Sequence, residues 1–251
     1  MIKNKDRLNS GLGNLFTAII IIALWQIASL HYNDIILPGP MATLKSLVNQ
    51  LGDNTFYSSL LTSCVRLLTA LALSIGLGLA FGLLMGIFKP VRYLLSPVIY
   101  ILQSVPPILY MTLAMIWFGL NGRATIFIVT VVSFPVLAVN LCEGFSNIDP
   151  KLVEMGRSFQ FSRSKIILSI IIPSLLTYLK SGLIIMLSLS WKLLIMGEVL
   201  AAGSGIGSLL TDARMNLETD KVFSLGLLIV IFCILSQLGA GKMVEHHDNQ
   251  N

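Results

Sequence analysis

Long stretches without a charged residue are the feature that most restricts how this chain of 251 residues can fold. A helix needs about 20 mostly apolar residues to cross the roughly 30 Å hydrocarbon core of a bilayer. Five stretches contain no Asp, Glu, Lys or Arg, and a sixth contains only Lys192 and Glu198. The six stretches are 8–33, 67–88, 93–122, 124–142, 181–202 and 222–241. The sequence therefore predicts an all-α integral membrane protein with about six transmembrane helices.

The composition excludes the other broad classes of protein. Hydrophobic residues make up 55% of the chain and charged residues 12%, whereas an ordinary soluble domain has about 25% charged residues. Disordered chains lack this much apolar surface. Cys64, Cys142 and Cys233 are too few and too scattered for a disulfide framework or a metal cluster. Because six spans use about half of the chain, we predict a single transmembrane domain over residues 1–251.

The distribution of lysine and arginine predicts the orientation in the membrane. These residues resist translocation, so they concentrate on the cytoplasmic side. A cytoplasmic N-terminus places eleven of the seventeen inside: Lys3, Lys5, Arg7, Lys89, Arg92, Lys151, Arg157, Arg163, Lys165, Lys180 and Lys242. Both termini are then cytoplasmic. This bias accounts for the net charge of +5 without a nucleic-acid partner.

The inner segment 143–180 is predicted to contain two short helices. Asp149 can cap a helix that begins at Pro150, because proline lacks the N–H that would be unpaired there. Ser162 can cap a second helix, and Pro173 is predicted to interrupt it. The pair would form a compact projection suited to a groove on another protein. An interfacial helix resting on lipid headgroups remains the alternative.

The outer segment 31–60 is predicted to contain an amphipathic helix. It follows Pro38 and Pro40, and its apolar residues recur at helical spacing. They are Met41, Leu44, Leu47, Val48 and Leu51. The helix would either cover the ends of its neighbours or dock an outer partner.

Lys192 is the anomalous residue within the predicted spans. A charged side chain near a helix centre costs at least about 2.5 to 3.5 kcal/mol on insertion scales. Glu198 lies six residues on, about 240° around the helix, so the two do not form an i,i+4 pair. In a twofold dimer Lys192 would occur twice near one pathway and attract an anion. A partner on a neighbouring helix, or snorkelling, remains open.

Prolines and glycines mark other features of the spans. Pro106, Pro107 and Pro135 each remove a backbone hydrogen bond and predict kinks. A gate at these kinks and ordinary helix packing both remain open. The second span carries a run of small residues that favours close helix packing, with a subunit interface as the alternative. These residues are Gly76, Gly78, Gly82 and Gly86. A further glycine-rich run, 203–207, is predicted to be a flexible outer turn.

The inner segment resembles the loop of permease subunits of binding-protein-dependent ABC importers, written E-A-A-x3-G-x9-I-x-L-P. Glu154, Ile170 and Pro173 match it, whereas Gln160 stands in place of the glycine. Because glycine adopts positive φ at little cost, this replacement bears on the tightness of the turn. Other matching segments are Ile36–Pro40, Ser104–Pro107, Trp117–Gly119, Trp191 with Glu198, and Gly203–Arg214. Together they resemble the nitrate, sulfonate and taurine group.

The resemblance implies a type I ABC importer permease fold in the bacterial cytoplasmic membrane. It implies three partners besides membrane lipid: a second copy, cytoplasmic ATPase subunits, and an extracytoplasmic solute-binding protein. The chain has no G-x4-G-K-[ST] phosphate loop, so ATP would be bound by the ATPase, and we predict neither an enzyme nor a cofactor or metal site. The implied ATPase-coupling residues are Glu154, Gly156, Arg157, Phe159, Gln160, Ser162 and Pro173. The candidate substrate-pathway residues are Lys192, Trp191 and Pro106.

The resemblance implies a small anion, such as a sulfonate or nitrate, or a vitamin precursor as the substrate. A self-sufficient secondary carrier or channel is the main alternative, although it would be expected to show internal repeats with matched broken helices. An intramembrane enzyme is a further alternative, but the sequence lacks a motif such as H-E-x-x-H.

Overall fold

The structure is a computed structural model that describes the backbone of residues 2–248 and the side chains at 13 and 16–239. Throughout this part of the chain the regular structure is helical. The helices are α1 (Ile2–Ser29), α2 (Pro40–Leu51), α3 (Asn54–Ile87), α4 (Lys89–Ser104), α5 (Pro107–Phe118), α6 (Gly122–Ser146), α7 (Pro150–Ser158), α8 (Arg163–Ile166), α9 (Ile172–Ala201), α10 (Ile206–Met215) and α11 (Thr219–Asp248). A π-helical turn, Ile167–Ile171, joins α8 to α9. The predicted all-α class is therefore confirmed.

Among the residues that the structure describes, four helical segments are long and apolar enough to cross a bilayer: Asn54–Ile87, Gly122–Ser146, Arg163–Ala201 and Thr219–Gly239. The bent pair α4 and α5 makes a fifth if it counts as one span, and α1 contributes a shorter apolar segment, Phe16–Ser29. The basic side chains of Lys3, Lys5, Arg7 and Lys242, used above for orientation, lie outside the described residues.

The third predicted span is broken rather than straight. Helices α4 and α5 meet at 91°. Val105 and Pro106 between them have extended ψ angles of 127° and 133°, as expected for residues that each precede a proline. Pro107 then begins α5, where its missing N–H has no helical partner to lose. The predicted kink at Pro106 and Pro107 is confirmed, whereas α6 runs through Pro135 without a break in its helical residues.

The chain groups into two compact units. The first contains the described residues up to Ser58 together with Leu209–Ile231, and the second contains Ser59–Ser208 and the described residues from Phe232 onward.

The second unit is organised around α6 and α9. Ile128 and Val129 on α6 and Leu194 on α9 are fully buried in its core. Ser133 and Ser190 join the same two helices through hydroxyl groups 3.1 Å apart. Each of these small polar groups therefore has a partner, as apolar surroundings require.

Three of the four glycines in the second span pack α3 against α6. A Cβ at Gly78 would lie 2.8 Å from Leu137, and one at Gly82 would lie 2.8 Å from Leu141. A Cβ at Gly86 would overlap the Phe145 ring. A Cβ at Gly76 would meet no atom of another described segment within 4 Å. The packing interpretation is thus confirmed for Gly78, Gly82 and Gly86, because a larger residue would hold the helices apart.

The first unit packs α2 with its polar side inward. Thr43, Ser46 and Gln50 are the buried residues of α2. The apolar residues that predicted the helix are instead mostly exposed, with Met41 and Val48 at 75% and 66%. Helix α2 thus exists where predicted, but the sequence pattern did not show that its polar side would be covered.

Candidate functional site

The first helix of the inner segment forms where its caps predict. The Asp149 carboxylate accepts a hydrogen bond of 2.9 Å from the Lys151 N–H, and Pro150 is the first residue of α7. The Ser162 hydroxyl accepts a hydrogen bond of 3.3 Å from the Lys165 N–H, and Ser162 directly precedes α8. Both predicted caps are confirmed. They satisfy N–H groups that a helix start leaves without a partner.

The turn between α7 and α8 is tight although it lacks the glycine of the family pattern. Gln160 takes a positive φ of 56°. Its N–H donates to the Arg157 carbonyl at 2.9 Å, and the Phe161 N–H donates to the Gly156 carbonyl at 3.0 Å. These two bonds form a Schellman motif. Gln160 thus adopts the left-handed backbone conformation that glycine favours, and this conformation costs about 1 kcal/mol or more of conformational free energy.

Gly156 brings α7 close to the segment that follows it. Gly156 is buried, and a Cβ there would lie 3.1 Å from Ile170 Cδ1 in the π-helical turn. The Lys165 ammonium group lies 4.0 Å from the centre of the Phe161 ring. Gly156 therefore lets the two short helices approach closely.

The exposed side chains of α7 and of Phe159, the residue that follows it, include both apolar and charged groups. Met155 and Phe159 are 51% and 69% exposed, and Leu152 is 42% exposed. Glu154 and Arg157 are exposed as well. Within the part of the chain that the structure describes, neither charge forms an ion pair. We refer to these five residues as the α7 surface.

Pro173 does not interrupt the second helix of the inner segment, so this prediction is wrong. The chain remains helical from Arg163 to Ala201, because a π-helical turn precedes the proline. The Ile172 N–H donates to the Ile167 carbonyl five residues earlier. In a π turn a carbonyl accepts from the N–H five residues later rather than four. This shift accommodates Pro173, which has no N–H, at the junction of the π turn and α9. Pro173 is exposed, at the second position of α9.

A buried ion pair is the main polar feature of the second unit. Arg66 Nη1 on α3 donates to Glu198 Oε1 on α9 at 2.8 Å. Glu198 is fully buried, and its Oε2 accepts from the Ser63 hydroxyl at 2.7 Å and the Gly207 N–H at 3.0 Å. Arg66 also donates to the Ser204 carbonyl and hydroxyl, each at 2.6 Å. The carboxylate and guanidinium thus receive the partners that buried charges require.

The glycine-rich run 203–207 closes around this carboxylate. Gly205 has a φ of +104°, and a Cβ there would overlap the Glu198 carboxylate. The Ile206 N–H donates to the Ser63 hydroxyl at 2.8 Å. A Cβ at Gly122 would likewise overlap the Arg66 side chain. The glycines therefore serve for close approach to the ion pair, a role that the predicted flexible turn did not include.

The sequence contains one signal for this pair. Arg66 and Glu198 are charges at the ends of two apolar stretches, but 132 positions separate them. Helical spacing addresses only the pairing of Glu198 with Lys192, because those two residues share a helix.

The candidate pathway residues have three different environments. Lys192 is exposed on α9, and among the described residues no carboxylate pairs with it. Trp191 is only 5% exposed; its ring stacks on Phe232, and its N–H donates to the Ser236 hydroxyl at 2.9 Å. Pro106 is exposed at the bend between α4 and α5. Among the described residues, no hydrogen bond, ion pair or ring contact joins these three side chains to one another.

A model of a protein family described as the binding-protein-dependent transport system inner membrane component matches residues 74–242. The chain belongs to this family. The match includes the whole inner segment, with both capped helices and the tight turn, and most of the helices that form the second unit. The chain is therefore a transmembrane permease subunit of an ABC importer, and the self-sufficient carrier is not favoured.

Two permeases of Escherichia coli are similar to this permease over most of its length. It is 29% identical over 228 residues to the taurine transport system permease protein TauC of Escherichia coli, covering 88% of this chain and 83% of TauC. It is 32% identical over 225 residues to the putative aliphatic sulfonates transport permease protein SsuC of the same organism, covering 89% and 84%.

A solved structure shares the fold. A bacterial ABC transporter involved in the import of the acidic polysaccharide alginate aligns with a TM-score of 0.63, at 14% identity, over 97% of this chain and 98% of that chain. At this identity the likeness concerns the fold alone. The predicted type I importer permease fold is confirmed, and the permease is a multi-pass membrane protein.

Proposed function

We propose that two copies of this permease form the pathway for a small anion and are driven by separate ATPase subunits that dock on the α7 surface. A solute-binding protein outside the membrane delivers the substrate, and both termini lie in the cytoplasm. The α7 surface is the observation that carries the coupling part of this proposal. Apolar and charged groups that lack partners within a subunit are typical of a docking surface.

The proposed substrate is a sulfonate or an anion of similar size and charge. The relatives described above are named for taurine and aliphatic sulfonates. The exposed ammonium group of Lys192 supports an anion, since two such groups in a twofold dimer would raise its local concentration. Trp191 is packed in the core and would position the helix that carries Lys192 rather than contact the solute. Pro106 would shape the bend beside the pathway.

Substitution of Lys192 tests the role of its charge in the pathway. We expect Lys192→Met to lower the initial rate of sulfonate uptake about tenfold, because methionine keeps much of the side-chain volume but removes the attraction for the anion. Uptake of a radiolabelled sulfonate, with surface expression measured in parallel, gives the result. Lys192→Arg keeps the charge and is the matched control. Normal uptake kinetics in Lys192→Met would remove Lys192 from the pathway.

Reconstitution tests the proposed function itself. In vesicles that contain the permease alone, we expect no accumulation of taurine or another sulfonate. Addition of the ATPase subunits, ATP and the loaded binding protein should produce accumulation against a gradient, because the permease has no phosphate loop of its own. Accumulation by the permease alone would support the secondary carrier and contradict the proposal.

A further inference from the structure

A polar pocket of about 300 Å³ lies within the first unit, between the end of α2 and the start of α11. Ser46 lines it and is 7% exposed. Its other lining residues are Asn49, Gln50, Asp53, Glu218, Asp220 and Lys221. The coupling and pathway residues described above are not part of it.

Gln50 provides a buried hydrogen-bond acceptor that has no donor. The residue is 7% exposed, and its Nε2 donates to the Ser224 hydroxyl. That hydroxyl has two acceptors for its single proton, the Lys221 carbonyl at 2.9 Å and the Ser46 hydroxyl at 3.4 Å, so we assign it as the acceptor of the Gln50 N–H. Among the described residues, no donor reaches Gln50 Oε1. A buried carbonyl without a donor is uncommon and indicates that a group from outside is needed.

The charges in the pocket indicate that this group is a cation. Asp53, Glu218 and Asp220 oppose one ammonium group, that of Lys221, so the net charge is negative. Lys221 pairs with Glu218 at 3.4 Å. Hydrogen bonds from the Thr55 hydroxyl and N–H hold the pKa of Asp53 below its usual value, and Lys221 adds a smaller effect in the same direction. Asp53 is therefore ionised at neutral pH.

The size and geometry of the pocket favour an organic cation over a metal ion. Within the described part of the chain, no group of three carboxylate, histidine or cysteine side chains is placed to hold a metal. A volume of about 300 Å³ is much larger than a bare ion and accommodates the head and part of the stem of a basic side chain. A guanidinium group carries five N–H donors, enough for two carboxylates and one amide carbonyl together.

We propose that this pocket receives an arginine or lysine side chain of the extracytoplasmic solute-binding protein when that protein docks. The inference rests on the proposed function and on its orientation, which places the end of α2 and the start of α11 outside the membrane. The cation would pair with Asp53 and Asp220 and donate to Gln50 Oε1. Such pairing fixes the register of the docked protein and raises its association rate.

Removal of the two carboxylates that do not pair with Lys221 tests this docking site. The permease and its ATPase are assembled in nanodiscs, and the solute-binding protein of the same transporter is the probe. We expect Asp53→Asn with Asp220→Asn to raise the Kd of the binding protein at least tenfold, which is about 1.4 kcal/mol. The maximal ATPase rate at saturating binding protein should be unchanged, because only docking is weakened. Asparagine also caps helices, so the start of α3 is preserved.

The control is Asp212→Asn, which removes an exposed carboxylate of α10 that does not line the pocket. We expect its Kd to match that of the unsubstituted permease. An equal loss of affinity in the control would indicate general surface electrostatics and would overturn the proposal. An unchanged Kd in the double variant would overturn it as well. A loss of affinity produced by EDTA alone would identify a divalent-cation site instead, and would overturn it too.

Charge exchange identifies the partner residue. A photo-crosslinking amino acid at Asn49, on the rim of the pocket, should cross-link to a binding-protein peptide that contains an exposed arginine or lysine. Reversing that residue to glutamate should weaken docking, and Asp220→Arg in the permease should then restore it. Absence of restoration would contradict direct pairing. Failure of the unsubstituted transporter to respond to the binding protein would instead contradict the proposed function.

Discussion

Glu198→Ala should lower the free energy of unfolding of the permease by about 3 to 5 kcal/mol, the largest stability effect that we expect from a single substitution. Arg66 would remain largely buried without its carboxylate, since its side chain is only 13% exposed. The Ser63 hydroxyl and the Gly207 N–H would also lose their acceptor. Thermal unfolding of the detergent-purified protein measures the change.

A double variant separates loss of the ion pair from loss of packing. Arg66→Met with Glu198→Met should be more stable than Glu198→Ala alone, because replacement of both buried charges by apolar groups is often close to neutral. Glu154→Ala removes an exposed carboxylate and should change stability by less than about 0.5 kcal/mol. Native-like stability in Glu198→Ala would show that the Arg66 pair does not hold α3, α9 and the glycine-rich turn together.

Glu154→Ala combined with Arg157→Glu should abolish both transport and co-purification of the ATPase, while membrane insertion stays intact. Both side chains are exposed on the α7 surface, so the substitutions change the charges that a docked partner would contact and leave the folding of α7 unchanged. Reversal of a charge at an interface costs several kcal/mol of binding free energy. Pull-down of the ATPase and uptake of a labelled sulfonate provide the two measurements.

Lys89→Ala is the matched control for this surface. Lys89 is exposed at the start of α4 and is assigned to the same side of the membrane, but it is outside the inner segment. Its removal should leave ATPase recruitment at the level of the unsubstituted permease. Full recruitment by the Glu154 and Arg157 double variant would place the coupling surface elsewhere.

Local sequence was sufficient for the inner segment because its structure depends on neighbouring residues. Asp149 and Ser162 cap helices within three positions of themselves, and Pro150 favours the first turn regardless of what packs nearby. The backbone conformation at Gln160 and before Pro173 was harder to predict from sequence. A Schellman motif supports a positive φ without glycine, and a π-helical turn maintains helix continuity before proline.

The apolar stretches by themselves determined that this chain spans a membrane with helices, because the bilayer core demands a minimum apolar length and internal hydrogen bonding. Tertiary structure alone decided that Arg66 meets Glu198, that Gly205 closes over the carboxylate, and that the polar side of α2 turns inward with Gln50 lacking a donor. Partners of this kind are far apart in sequence. Which of them meet depends on how whole helices pack, and helical periodicity carries no information about that.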